Sequence, residues 1–328
     1  MNEPTHQKSR CKNPVFVMGL PRSGSTLLSR ILNASPDVVS INDLYYVQYA
    51  QSLNAFSGPV EDQDCERLID QILEVVNTRS SKNNDFIGQF EVSQSDIQKI
   101  RSDVMQEQYS GKLQWNEILD STLTRVAETS GKTRWADKTP QNYFHFESLL
   151  EEFPEAKFIF LLRNPQAILS SFKFASGEGH DKRRYHPITY AMYWRSAARA
   201  YLSLKHHPNV MLVKYEDLLS RQEEITGSLG QFLETELFPL HLESIGHNSS
   251  FRQGERKYIR PTEAWMCDRI CKSEMLELGY ESSRKSFSLR DSYELIRLTA
   301  QFTLFQTKRA LTDPDARQRM RVFLRQAT

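Results

Sequence analysis

A strand, a glycine-rich loop and a helix follow one another near the N-terminus, and this unit restricts the possible folds more than any other part of the sequence. The strand is the apolar run Val15-Phe16-Val17-Met18, the loop is Gly19-Leu20-Pro21-Arg22-Ser23-Gly24-Ser25-Thr26, and residues 27–32 have the spacing of a helix. Backbone N–H groups at the start of such a helix attract anions. The sequence therefore predicts an α/β fold whose first loop holds an anion.

Further strands alternate with helices along the chain. Residues 157–162 form an uninterrupted apolar run, which is typical of a parallel strand buried on both faces. We predict other strands at residues 38–41, 134–140 and 210–213, and helices at residues 142–152, 165–174 and 188–206. This alternation predicts a three-layer fold with a central, mostly parallel sheet.

The pattern of apolar and polar stretches also predicts the domain organisation. We expect one domain over residues 1–328, with a flexible N-terminus at residues 1–13 and C-terminal helices at residues 281–328. Residues 44–133 show amphipathic spacing broken by polar loops, which predicts a helical insertion over the active face.

Charge and hydropathy exclude two classes of protein. The 328 residues contain 42 Lys and Arg against 41 Asp and Glu, so the net charge of +1 gives no field that would hold nucleic acid non-specifically. Mean hydropathy is −0.56, and no apolar run approaches the roughly 20 residues that span a bilayer. Because residues 1–13 are polar and lack a signal-like apolar stretch, we expect a cytoplasmic protein.

Four cysteines are too few for a disulfide scaffold in a chain of this length. Cys267 and Cys271 share one face of a predicted helix, and with His241 or His247 they could bind a metal. The spacing lacks a CxxC pair, so we interpret the two cysteines as small buried residues.

The glycine loop resembles a nucleotide-binding P-loop but lacks its main cation. Gly19, Gly24 and Thr26 match the glycines and hydroxyl of that loop, whereas Ser25 stands where the phosphate-binding Lys would be, and Arg22 supplies a positive charge instead. The apolar strand at residues 157–162 ends in Arg163, not in a metal-binding Asp. A magnesium-dependent phosphotransferase is therefore disfavoured.

A second anion site is predicted after that apolar strand. Arg163 follows its last residue, and Ser171 lies two turns into the next helix. A guanidinium offers a fork to phosphate oxygens, and a hydroxyl adds a donor. Two anion sites at the carboxyl edge of one sheet call for a ligand with two separate phosphate groups.

These motifs resemble those of sulfotransferases that use 3'-phosphoadenosine 5'-phosphosulfate (PAPS). Residues 19–28 are similar to their 5'-phosphosulfate loop, with Ser25 where Thr is commoner, and residues 163–171 are similar to their 3'-phosphate motif. Residues 135–140, 213–218 and 277–280 resemble the branch that includes protein-tyrosine sulfotransferases and many bacterial enzymes. The resemblance implies a P-loop-like fold, PAPS as co-substrate, 3'-phosphoadenosine 5'-phosphate (PAP) as product, and no metal.

The resemblance also implies catalytic roles. Arg22 and Lys138 match the cations that act near the transferring group, although Lys138 could be a surface lysine that pairs with Asp137. Asp43 matches the position of the carboxylate base, which is Glu in that branch; the alternative is that Asp43 caps the next helix. His145 and His180 remain as other possible bases, because cytosolic relatives use His.

The resemblance also implies which residues bind the donor. The residues expected to contact the donor are Arg22, Ser23, Gly24, Ser25, Thr26, Leu27, Arg163, Ser171 and Arg252. Several aromatic residues predict an apolar acceptor pocket, or else the core of the insertion: Tyr45, Tyr46, Tyr49, Phe56, Phe172 and Phe174.

The function we expect is transfer of a sulfuryl group from PAPS to a hydroxyl of a small molecule, sugar, lipid or peptide. Two alternatives remain open: a module that binds PAPS or PAP without catalysis, and an atypical P-loop nucleotide kinase. Neither the acceptor nor the oligomeric state can be derived from the sequence.

Overall fold

A computed structural model describes residues 11–80, 90–175, 182–240, 258–283 and 285–312. Several residues named above lie outside this part of the chain: Arg252, His180, His241, His247 and residues 1–10 of the N-terminus.

A five-stranded sheet forms the centre of the fold, with strand order β2-β3-β1-β4-β5. Its strands are β1 (Val15–Gly19), β2 (Val38–Asn42), β3 (Arg134–Lys138), β4 (Lys157–Leu162) and β5 (Val210–Lys214). The pairings of β1 with β3, β1 with β4, and β2 with β3 are parallel, which confirms the predicted α/β fold with a mostly parallel sheet.

The strand order identifies the edge at which a ligand is expected. From β1 the chain passes over to β2, returns to β3 beside β1, and then places β4 on the other side of β1. In open α/β sheets, ligands bind at the carboxyl ends of the strands where the order reverses. Here that point is the end of β1, from which the glycine loop emerges.

Twelve α-helices surround or follow the strands in the described residues. They are α1 (Ser25–Asn33), α2 (Tyr46–Ser52), α3 (Asp62–Arg79), α4 (Gln94–Ser110), α5 (Trp115–Thr129), α6 (Phe146–Glu152), α7 (Pro165–Lys173), α8 (Pro187–Ser203), α9 (Tyr215–Ser220), α10 (Gln222–Leu233), α11 (Pro261–Glu277) and α12 (Leu289–Thr312). Two short 3-10 helices, Pro140–His145 and Lys182–Arg184, complete the set.

Most predicted elements are present, with two shifts. The helix predicted over residues 142–152 is a 3-10 turn up to His145 and becomes α-helical only in α6. The helix predicted to reach residue 206 ends at Ser203, where a turn precedes Pro208. Pro208 restricts only the residue before it, His207, so the earlier end at Ser203 is set by the turn at residues 204–206.

The chain divides into two compact units. Met1–Leu161 and Leu204–Leu240 form the first, and Leu162–Ser203 and His241–Thr328 form the second. In the first unit, an aromatic cluster packs against the sheet: the ring centroid of Phe16 lies 5.4 Å from Trp135, 5.3 Å from Phe153 and 5.5 Å from Phe158. The segment of residues 44–133 contains helices α2 to α5, also in this unit.

The second unit is built around α7, α8 and α11. Glu263 is 2% exposed, and its carboxylate accepts hydrogen bonds from Lys173 Nζ at 2.6 Å and from the Tyr185 hydroxyl at 2.9 Å. Cys267 and Cys271 are buried in α11, as predicted. None of the helices described is long and apolar enough to cross a membrane.

Candidate active site

The glycine loop begins where β1 and β4 leave no room for a side chain. Gly19 has φ +143°, and a Cβ built on it would lie 2.2 Å from the Leu161 carbonyl oxygen. Any larger residue would push the two strands apart, because that oxygen belongs to a neighbouring backbone. Glycine is therefore required for the chain to leave the sheet at this point.

Gly24 meets a second steric limit at the other end of the loop. It caps the N-terminus of α1 with φ +92°, and an added Cβ would lie 2.2 Å from Cδ2 of the Tyr215 ring. Tyr215 follows directly after β5, the edge strand of the sheet, and this position places its ring against the loop. The sequence motif at residues 213–218 did not reveal this contact with the loop.

The loop surrounds a place suited to an anion. Ser23 is 1% exposed, and its hydroxyl has no hydrogen-bond partner among the described residues. The N–H groups of the first residues of α1 have no acceptor within the helix, and Gly24 has no side chain to cap them. An oxyanion would satisfy both the hydroxyl and these N–H groups. The exposed Arg22 belongs to the same loop.

Strand register brings Asp43 and Lys138 together. Asn42 pairs with Lys138 in the β2–β3 ladder, and the ladder extends one step because the Asp43 N–H donates to the Lys138 carbonyl at 2.9 Å. The Lys138 ammonium then lies 2.9 Å from Asp43 Oδ1. Because β3 also pairs with β1 through Val17 and Lys138, this ion pair lies at the sheet edge from which the glycine loop emerges.

These contacts exclude the structural alternatives stated for both residues. The Lys138 side chain is only 4% exposed and pairs with Asp43, so it is not a surface lysine paired with Asp137. The N-cap of α2 is Tyr45, and α2 has no side-chain cap, so Asp43 does not cap this helix. The carboxylate of Asp43 is instead held at the sheet edge by a buried ammonium.

A third charged residue, which the sequence did not indicate, completes this cluster. Arg79, the last residue of α3, places a guanidinium nitrogen 3.4 Å from Asp43 Oδ2. Each carboxylate oxygen of Asp43 thus faces one cation. Since a carboxylate has about four lone-pair positions, it can still accept a further hydrogen bond from a substrate hydroxyl.

Three of the six non-glycine residues with positive φ in the described part of the chain lie in this region. Arg22, Asp43 and Tyr45 have φ values of 74°, 60° and 51°, in the left-handed region that non-glycine residues rarely adopt. Each such residue costs on the order of 1–2 kcal/mol. Residues strained in this way cluster at functional sites, where surrounding contacts hold them in place.

Asp137, the residue before Lys138 on β3, has a structural role. It is fully buried and accepts hydrogen bonds from the Thr139 hydroxyl at 2.6 Å and from Asn142 Nδ2 at 2.7 Å. Burial raises the pKa of Asp137 to about 6. Its contacts tie the end of β3 to the turn that follows, which fixes the backbone carrying Lys138.

His145, one of the alternative bases, closes the 3-10 helix after β3. Burial lowers the pKa of His145 to about 4, so its imidazole is neutral at pH 7.

Arg163 and Ser171, the second predicted anion site, belong to the second unit. Arg163 follows β4 directly, and its carbonyl accepts a hydrogen bond from Trp194 Nε1 at 2.8 Å. Asn164 caps α7 by accepting from the N–H groups of Gln166 and Ala167. Ser171 is buried in the last turns of the same helix.

The aromatic residues of the insertion divide into core and surface. Tyr46 is fully buried and donates its hydroxyl to the Trp115 carbonyl at 2.6 Å, and Phe56 lies 4.6 Å from the Trp115 ring. Tyr46 is therefore core rather than pocket, whereas Phe56 is half-buried. Tyr45 is 41% exposed, and burial of part of its ring, with Asp43 nearby, raises the pKa of its hydroxyl.

No cluster of three or more His, Cys, Asp or Glu residues that could hold a metal ion occurs in the described ranges.

Comparison with known proteins identifies the family. The sequence matches the Sulfotransferase family over residues 14–239. It is 26% identical over 162 residues to the nodulation protein NoeE of Sinorhizobium fredii (strain NBRC 101917 / NGR234); the match covers 49% of this chain and 31% of that protein, so the chain spans about a third of the relative's length.

Two solved structures match most of this chain at low sequence identity. The sulfotransferase domain of the Synechococcus PCC 7002 olefin synthase is 19% identical, with a TM-score of 0.46, 90% of this chain and 98% of that chain covered. Sulfotransferase STF9 from Mycobacterium avium is 17% identical, with a TM-score of 0.49 and coverage of 84% and 79%. On the strength of the match over residues 14–239, the chain belongs to the sulfotransferase family.

Proposed function

We propose that this protein transfers the sulfuryl group of PAPS to a hydroxyl of an acceptor. The observation that carries the proposal is the glycine loop, where a buried Ser23 hydroxyl without a partner among the described residues precedes the N-terminus of α1, at the same sheet edge as the Asp43–Lys138 pair. This arrangement offers an anion site next to a carboxylate and a cation, which are the groups that sulfuryl transfer requires.

The donor's 5'-phosphosulfate occupies the glycine loop in this proposal. Its oxygens accept hydrogen bonds from the loop residues Arg22, Ser23, Gly24, Ser25, Thr26 and Leu27. The 3'-phosphate is bound by Arg163 and Ser171, to which the family resemblance adds Arg252 from outside the described residues. A guanidinium and a hydroxyl suit a phosphate monoester, because together they supply several directed donors.

The transfer itself forms one bond and breaks another at sulfur. The acceptor oxygen bonds to sulfur as the bond from sulfur to the 5'-phosphate oxygen breaks, and the hydroxyl proton passes to the carboxylate of Asp43. Lys138 has three N–H donors and uses one on Asp43, so the others are available to oxygens of the transferring group. Arg22 and Lys138 stabilise the charge that develops on the leaving PAP.

The acceptor enters from the side of Asp43 and Tyr45. Tyr45 is the exposed aromatic residue nearest in sequence to Asp43, and it offers an apolar face to a molecule that carries a hydroxyl. The acceptor class remains a small molecule, sugar, lipid or peptide with one reactive hydroxyl.

Calorimetric titration of PAP into the protein without magnesium tests the proposal, with ATP as the control ligand. We expect PAP to bind without magnesium and the Arg163→Ala variant to bind at least tenfold more weakly. Arg67→Ala is the matched control, because Arg67 lies on the surface of α3 and, among the described residues, forms its ion pair with Asp64 on the same helix. We expect this variant to bind PAP normally.

A kinase gives the opposite result: no PAP binding, and binding of ATP that needs magnesium. A non-catalytic module binds PAP but releases none from PAPS when a panel of phenols, sugars and other alcohols is added. Lys138→Met separates these cases further, since loss of turnover with a folded protein assigns Lys138 to the reaction, and normal turnover removes it.

A further inference from the structure

The outward face of α12 is apolar along most of its length. Five large apolar side chains on this 24-residue helix are 67–84% exposed: Leu289, Tyr293, Ile296, Leu304 and Leu311. Isolated exposed apolar residues are common on protein surfaces, but a continuous exposed strip usually marks an interaction site.

The five side chains share one face of the helix. With 3.6 residues per turn, they lie within about 80° of one another, and Ala300 and Thr307 fall on the same face. Leu298, on the opposite face, is 7% exposed and packs into the second unit. The strip contains no charged residue, so α12 carries an apolar face on each side. Helix faces that stay in contact with solvent are usually polar.

The order of residues along the strip has two-fold symmetry about Ala300. Ile296 and Leu304 lie four residues before and after it, and Leu289 and Leu311 lie eleven residues before and after it. Two copies of α12 that cross in opposite directions at Ala300 therefore place Ile296 of each copy against Leu304 of the other. The small side chain of Ala300 lets the helices approach closely at the crossing point.

We propose that a second copy of this chain covers the strip, in an antiparallel, two-fold symmetric pairing of α12 about Ala300. Such an interface is isologous: both copies use the same surface, and every contact between two positions occurs twice. The helix is about 36 Å long, so the strip offers on the order of 500 Å² per protomer. The pair then buries about 1,000 Å², which is the lower limit for a specific interface, and the dimer is reversible.

Charges at the edge of the strip permit this pairing. Arg297 is already paired with Glu294 on its own helix at 2.6 Å, so its charge is compensated. Lys308 lies eight residues from Ala300, which puts it about 24 Å along the axis from its counterpart in the other copy. This separation exceeds the Debye length of about 8 Å at physiological salt.

Cysteine cross-linking tests the symmetry directly. Each copy of Ala300→Cys faces its own counterpart, so mild oxidation with diamide should convert most of the protein to a disulfide-linked dimer. Lys308→Cys is the matched control on the same helix and should form no disulfide-linked dimer, because its counterpart lies about 24 Å away along the axis. The four native cysteines are buried and give little background. Absence of cross-linking at position 300, or equal cross-linking at both positions, would overturn the proposal.

Mass measurement by light scattering provides an independent test. At tens of micromolar the wild type should give twice 38.2 kDa, and Ile296→Asp should give the monomer mass with an unchanged circular dichroism spectrum. Leu276→Asp is the control, because Leu276 is 78% exposed but lies on α11 outside the strip, and it should remain dimeric. A monomeric wild type refutes the pairing, whatever else covers the strip.

Discussion

Replacement of Gly24 by alanine tests how tightly the loop is built. The backbone at this position has φ +92°, which costs a residue with a Cβ on the order of 1–2 kcal/mol. The new Cβ would also lie 2.2 Å from Cδ2 and 2.5 Å from Cε2 of the Tyr215 ring, so the ring must move. Overpacking of this kind costs about 1–3 kcal/mol. We therefore expect Gly24→Ala to lower the free energy of unfolding by about 2–5 kcal/mol.

Urea denaturation followed by circular dichroism measures this loss of stability. A double-mutant cycle separates the part due to overlap with the Tyr215 ring from the part due to backbone strain. Removal of the ring in Tyr215→Ala relieves the overlap but not the backbone strain, so the two substitutions should couple by about 1–3 kcal/mol. Gly58→Ala is the control, because Gly58 has φ +112° and open space where a Cβ would go. Equal losses for Gly24→Ala and Gly58→Ala, or full additivity with Tyr215→Ala, would refute the steric argument.

Three further predictions concern the charged cluster and its support. Asp43→Asn should slow PAP release in the presence of an acceptor by about 100-fold or more, with PAP affinity unchanged in calorimetry; normal turnover would exclude Asp43 as the base. Arg79→Gln should lower turnover by about fivefold, and Arg79→Lys should keep most of the activity because a positive charge still faces Asp43 Oδ2. An equal loss of PAP affinity in Arg79→Gln would place Arg79 in the donor site instead. Because the pKa of Asp137 is raised from 3.8 to about 6, the folded state binds more protons than the unfolded state between these values. The free energy of unfolding should therefore fall as pH rises from about 4 to 6, by up to about 3 kcal/mol, and Asp137→Asn should lose this slope in urea titrations across that range; a slope that persists in the variant would assign it to another group.

Elements with a strong local pattern were predictable from the sequence. The strand–loop–helix unit of β1 and α1, the apolar run of β4 and the start of α7 at Pro165 all follow from hydrophobic period and from residues that begin or end helices. The helix after β3 was less accurate, since a 3-10 turn from Pro140 to His145 has the same composition as an α-helical start.

Aromatic residues of the insertion show where the pattern alone was ambiguous. Tyr45 and Tyr46 are adjacent in sequence, yet one is exposed beside Asp43 and the other is buried against Trp115. Helical period restricts the face on which a residue lies, but the neighbour that covers this face comes from α5, more than 60 residues away. The assignment of pocket and core therefore required the packed structure.

The sequence by itself determined the fold class and the family, and it named the candidate site residues, because each of these is encoded in short stretches of chain. Tertiary structure decided which of those residues meet. The 2.9 Å contact of Lys138 with Asp43 depends on the register of β2 against β3, and the approach of Arg79 depends on where α3 ends. Register and helix packing are set by the fit of distant surfaces, and no local pattern of residues records them.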